Sequence, residues 1–171
     1  MLKKLNFIFA LVIIFGAHAF GQAEACEKFI NTVLIKKSFD PQGLYYFDTI
    51  PNKERTFLLT MQVDVNEQGG ISVKFLNKSS KSDIVMGYDR VRNAIVEDPD
   101  NLLKQYKNTR FIVPIWAKTY RTGRQDIEID AGFLNNFTKL IPSDFYTLKG
   151  IRGYVFNPVI LHVMEVTYDR R

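Results

Sequence analysis

The chain has 171 residues and a formal net charge of +5, with 23 Lys and Arg against 18 Asp and Glu. That length suits a single domain burying about two thirds of its unfolded surface, and so weak a charge specifies neither a nucleic-acid nor a membrane surface. Aromatic residues make up 13%, mostly Phe and Tyr, which favours strands and a dense core over a helical bundle, and the single cysteine excludes an internal disulfide.

The N-terminus reads as a secretory signal. Met1-Leu2-Lys3-Lys4 is short and basic, and Leu5 to Phe15 is apolar apart from Asn6. Such a run covers roughly half of a bilayer core of about 30 Å. Small residues follow at Ala17-His18-Ala19 and at Gly21-Gln22-Ala23, either of which fits a signal-peptidase site. Cleavage is expected after Ala23, making residues 1–23 the signal and 24–171 a single exported domain. Two rivals are weaker. A retained anchor would need a longer apolar run, and lipidation at Cys26 is opposed by Glu24, which sits where a lipobox carries no charge. Loss of Lys3 and Lys4 leaves 21 basic residues against 18 acidic, a net of +3.

From Ala25 to Lys37 the residues Cys26, Phe29, Ile30, Val33 and Leu34 recur at helical spacing and predict an amphipathic helix. Asp40-Pro41-Gln42-Gly43 is a turn, Leu44 to Phe47 a short strand, and Pro51 to Glu54 a second break. Leu59, Met61, Val63 and Val65 then alternate with Thr60, Gln62, Asp64 and Asn66, which predicts a strand with one apolar and one wet face. Gly69-Gly70 suits a hairpin turn, and Ile71, Val73 and Phe75 resume the alternation.

Ser82 or Asp83 is expected to cap a helix whose face carries Val85, Tyr88, Val91 and Ile95. Asp98-Pro99 signals a kink or a second short helix to about Tyr106. Phe111 to Ala117 is apolar on both faces, the mark of a covered strand, with Pro114 placed at an edge or bulge. Asp130 begins a helix carrying Phe133, Leu134, Phe137, Leu140 and Ile141, ended by Pro142, and a last strand runs from about Val159 to Tyr168. The order lacks regular βαβ alternation. It predicts an α+β fold, an antiparallel sheet with helices packed mainly on one face.

Residues 57–117 resemble the C-terminal domain family of TonB. The stretch from Met61 to Val73, with its acidic and glycine-containing turn, is similar to that family's first hairpin, and Ser79-Ser80 to the serine pair that follows. Asp89, Val91, Ala94 and Ile95 are similar to its helix, and Phe111-Ile112-Val113-Pro114-Ile115 to its returning strand. The family's aromatic-x-Pro element is missing between Val96 and Thr109, as is a Pro-rich spacer. The resemblance implies a small periplasmic or envelope interaction module that adds a strand to a partner or dimerises, with no cofactor and no catalytic residue.

Several chemistries lack their residues. Only His162 remains after signal removal, so a Ser-His-Asp centre would rest on one histidine within a strand, and one Cys with one His falls short of a zinc site. Phosphate-binding glycine loops and the Gly-x-Ser-x-Gly elbow do not occur. Asp126, Glu128 and Asp130, or Glu97, Asp98 and Asp100, could form the acid pair of a glycan hydrolase or bind calcium, but a solvated face and a helix cap explain them more simply.

A basic cluster at Lys107, Arg110, Lys118, Arg121 and Arg124 lies beside Trp116 and Tyr120. Trp116, Lys118, Tyr120, Arg121 and Arg124 form the candidate interaction surface, since Arg, Tyr and Trp are enriched at hot spots. Its expected partner is an envelope protein or an anionic envelope component. The alternative is a carrier whose aromatic residues line a pocket for an apolar ligand. Asn77-Lys78-Ser79 and Asn136-Phe137-Thr138 are formal glycosylation acceptors, relevant only in a eukaryotic secretory pathway.

Overall fold

The computed structural model describes residues 24–40, 56–120, 139–147 and 149–164. Helix α1 (residues 24–37) precedes the hairpin of β1 (Thr56–Val65) and β2 (Ile71–Leu76). Two helices follow, α2 (Ser80–Val85) and α3 (Tyr88–Glu97), then the long strand β3 (Thr109–Tyr120). A 3-10 turn (Ser143–Thr147) leads to β4 (Arg152–Val155) and β5 (Val159–Met164). The fold is α+β: a five-stranded sheet with three helices packed against it.

The sheet is mixed, not wholly antiparallel as its hairpin suggested. β1 is antiparallel to both β2 and β3, whereas β4 and β5 run parallel to β3, one after the other along the same side. β4 takes Thr109 to Ile112 and β5 takes Ile115 to Tyr120. Pro114 falls in the interval between them. Phe156 N–H donates to the Ile112 carbonyl at 2.9 Å, so Ile112 and, two residues on, Pro114 turn their backbone groups away from β1. The proline thus occupies a central strand, at the one stretch where its missing donor costs no ladder bond.

The hairpin forms as its alternation predicts. Val63 pairs with Val73, and Val65 with Ile71, around the loop 66–70. The Asn66 side-chain oxygen accepts from Gln68 N–H (3.0 Å) and Gly70 N–H (2.7 Å), while Gly69 takes φ +86°, a conformation open to a residue without Cβ. On the helix-covered face, Leu59, Met61, Val63, Phe111, Val113 and Ile115 are fully buried. The Phe111 ring contacts those of Tyr106, Phe156 and Tyr154 at centroid distances of 5.5, 5.3 and 5.6 Å.

β1 departs from its expected wet face. Thr60 and Gln62 are buried, because residues 139–147 lie against this outer side of the sheet. Thr60 Oγ1 donates to the Leu140 carbonyl at 2.6 Å, and Arg110 joins Asp64 (2.6 Å) to Asp144 (3.2 Å). The polar residues of β1 thus meet protein partners instead of water, which satisfies them as burial requires.

The region between β2 and β3 also differs in detail. Ser79, not Ser82 or Asp83, is the N-cap of α2: its hydroxyl accepts from Ser82 N–H, and Ser82 Oγ accepts from Ser79 N–H, a reciprocal capping box. The expected single helix is two, broken where Met86 is extended and bridges Phe39. Asp98 ends α3 in a left-handed conformation (φ +38°) instead of starting a helix. Its carboxylate accepts from the N–H groups of Leu102, Leu103 and Lys104 at 2.8, 2.9 and 3.0 Å, so it does cap backbone donors, but those of a succession of turns.

α1 is tied down along its length. Cys26 Sγ donates to the Leu102 carbonyl (3.1 Å), Glu27 accepts from Asn157 between β4 and β5, and Gly87 N–H donates to Ser38 O at 2.7 Å. Cys26, Ile30, Val33 and Leu34 are buried as their spacing predicts. The expected signal 1–23, the expected strand 44–47, the expected helix from Asp130 to Phe137 and the expected continuation of the last strand beyond Met164 lie outside the described residues; Lys139 to Ile141 form turn and bend, not helix.

Candidate interaction surfaces

The register of β3 sorts the expected surface residues. Even-numbered positions face the outer side, so Trp116 and Lys118 share it, Trp116 beside Leu58 of β1 and Ile160 of β5, Lys118 beside Thr56 and His162. The Lys118 ammonium lies 4.7 Å from the Trp116 ring centroid, a cation–π contact. Ile160 is exposed next to this pair, and Val155 on β4 is exposed beside Ile112, further along the sheet. Tyr120 closes β3 opposite Met164, and Arg121 and Arg124 lie outside the described residues. Of the other basic residues, Arg110 is drawn into the ion pairs with Asp64 and Asp144, which hold its guanidinium above its ordinary pKa, the Asp64 hydrogen bond contributing most. Lys107 is exposed, and its carbonyl accepts from Arg152.

A second surface is the sheet edge that strand addition requires, which the sequence does not assign to a particular strand. β2 is an edge strand that pairs, among the described residues, with β1 alone. The parity set by Ile112 carries across the sheet: Gln62, its partner on β1, directs its backbone toward Lys74, and Asn66 N–H donates to Gly70 O at the hairpin end in the same phase. Lys74 and Ser72 therefore bond to β1. Ile71, Val73 and Phe75 turn their N–H and C=O groups outward, and no described group bonds to them. Ser72 and Lys74 expose their side chains on the outer face, while Val73 and Phe75 bury theirs beneath the helices.

Of the remaining candidates, Asp98 has a structural role. Asp98 spends its carboxylate on backbone donors, and Glu97 and Asp100 are exposed around it; Asp126, Glu128 and Asp130 lie outside the described residues. No group of three or more potential metal ligands occurs among the described residues. His162 is exposed at the end of the sheet. Burial pushes the Cys26 thiol up to about 11, which leaves it protonated and unreactive at neutral pH. No described helix is long and apolar enough to cross a membrane.

No family model, curated protein or solved structure matches this chain.

Proposed function

We propose that the chain is an exported, non-catalytic interaction module of the periplasm or envelope, which binds an extended segment of an envelope protein along the edge of β2. The observation that carries this reading is the row of outward backbone groups at Ile71, Val73 and Phe75. An unpaired strand edge is a template for another strand, and main-chain hydrogen bonds supply the affinity. The connection hairpin, helices, returning strand over residues 56–120 is the unit to which the likeness to TonB C-terminal domains applies. The outer face with Trp116, Lys118 and Ile160 offers a second contact zone on the same module. A carrier would turn its aromatic residues toward a ligand, whereas Phe111, Tyr106, Tyr154 and Phe156 contact one another.

Export is tested by mass spectrometry of the protein from fractionated cells: a mature chain starting at Glu24 is expected, and one starting at Met1 ends the claim. The edge is tested by a photo-crosslinking residue at Ser72. Adducts with an envelope protein are expected in cells, and Ile71→Pro, which deletes an outward N–H and spares the β1 ladder, should abolish them. Adducts that survive Ile71→Pro, or that never form, would remove the edge from consideration.

A further inference from the structure

We infer that the segment accepted by β2 is acidic at alternate positions, with apolar residues between. This rests on the edge-binding reading above and names the class of partner that edge fits.

Three lysines surround β2 without a counter-ion among the described residues. Lys74 projects from the outer face of the strand, Lys78 follows its C-terminal end, and Lys139 is brought there because Asn77 Nδ2 donates to the Lys139 carbonyl at 2.8 Å. None of the three forms an ion pair among the described residues. Lys78 instead lies over the Tyr88 ring, 4.3 Å from its centroid. The neighbouring acids are largely engaged: Asp64 binds Arg110 and accepts from Gln62, and Asp89 binds Arg92, leaving Asp83 on α2 exposed.

An added strand places every second side chain on the outer face, about 5 Å from its cross-strand neighbour. A carboxylate opposite Lys74 therefore meets an unpaired ammonium, and a lysine there would meet repulsion. The intervening side chains fall on the helix side, beside Val73 and Phe75 and near the Phe75–Tyr88 ring contact at 4.6 Å, where apolar groups fit. A second copy of this chain is the poorer occupant. Pairing β2 with β2 would bring two sets of unpaired lysines together, and lysine on an edge strand is a known deterrent to self-association.

The test uses the purified protein and two labelled peptides, Val alternating with Glu and Val alternating with Lys, with binding read by fluorescence anisotropy. The acidic peptide is expected to bind about tenfold tighter at low salt, the margin shrinking as salt screens exposed charges. The double variant Lys74→Glu with Lys78→Glu should invert the preference. N-methylation of one alternate set of peptide nitrogens, the set facing β2, should abolish binding, and methylation of the other set should not. Equal binding of the two peptides, with that methylation pattern intact, would overturn the acidic partner and leave the edge standing. Binding indifferent to methylation would overturn both, as would a dimer in sedimentation velocity that Ile71→Pro dissolves.

Discussion

Asp98 shows how one side chain holds a segment that no regular element organises. It is fully buried, and three backbone N–H groups converge on its carboxylate. Removing it strands those donors, so Asp98→Ala should cost about 3 kcal/mol in urea unfolding, and Asp98→Asn, which keeps an acceptor, less. The buried thiol of Cys26 and the phenols of half-buried Tyr88 and buried Tyr106 contribute to the loss of stability at alkaline pH. Burial, the largest cause in each case, raises Cys26 from 9.0 to about 11, and Tyr88 and Tyr106 from 10.0 to about 12. All three hold their protons more tightly folded than unfolded. Their stabilisation is whole below pH 9 and is lost as pH rises toward 12. Circular dichroism melts across that range should show a decline beginning near pH 9, with the earliest part absent in Cys26→Ala. The burial of Cys26 was legible from helical spacing, but the role of Asp98 was not: Asp-Pro has the same signature whether the donors it caps belong to a helix or to turns.

At the scale of elements, the alternation of β1 and β2 was enough to predict their pairing, because a slip of one residue would turn Val63 and Val73 to water. It misread the second face of β1. Thr60, Gln62 and Asp64 look like solvent positions in sequence, yet residues 139–147 close over them, with Arg110 as the hinge of the contact. The Arg110–Asp64 pair is mostly shielded from water, its side chains 14% and 28% exposed. A double-mutant cycle of Arg110→Ala and Asp64→Ala should therefore give a coupling of about 2 kcal/mol by chemical unfolding, well above that of an exposed pair. The α2 cap is a smaller element-level contribution. Ser79→Ala should lower stability by about 1 kcal/mol in the same measurement, and Ser79→Asp should recover most of it.

For the molecule as a whole, the helices and the inner sheet face share one core. Leu34 of α1, Ile95 of α3 and Phe111 of β3 belong to the same buried cluster. Leu34→Ala should then cost about 3 kcal/mol and lower the urea midpoint of the sheet as well as of the helix, read by tryptophan fluorescence and circular dichroism together. Separate transitions for the two probes would show that α1 is an independent unit. By itself the amino-acid order determined the α+β class, the α1 face, the hairpin and the covered strand 111–117, since each follows from local periodicity. Only tertiary structure decided that β4 and β5 lie parallel to β3, that Pro114 sits in the interval between them, and that, among the described residues, β2 ends the sheet with three residues turned outward. Which strands become neighbours depends on contacts far apart in the chain, and the hydrogen-bond direction of each residue is defined only once they have met.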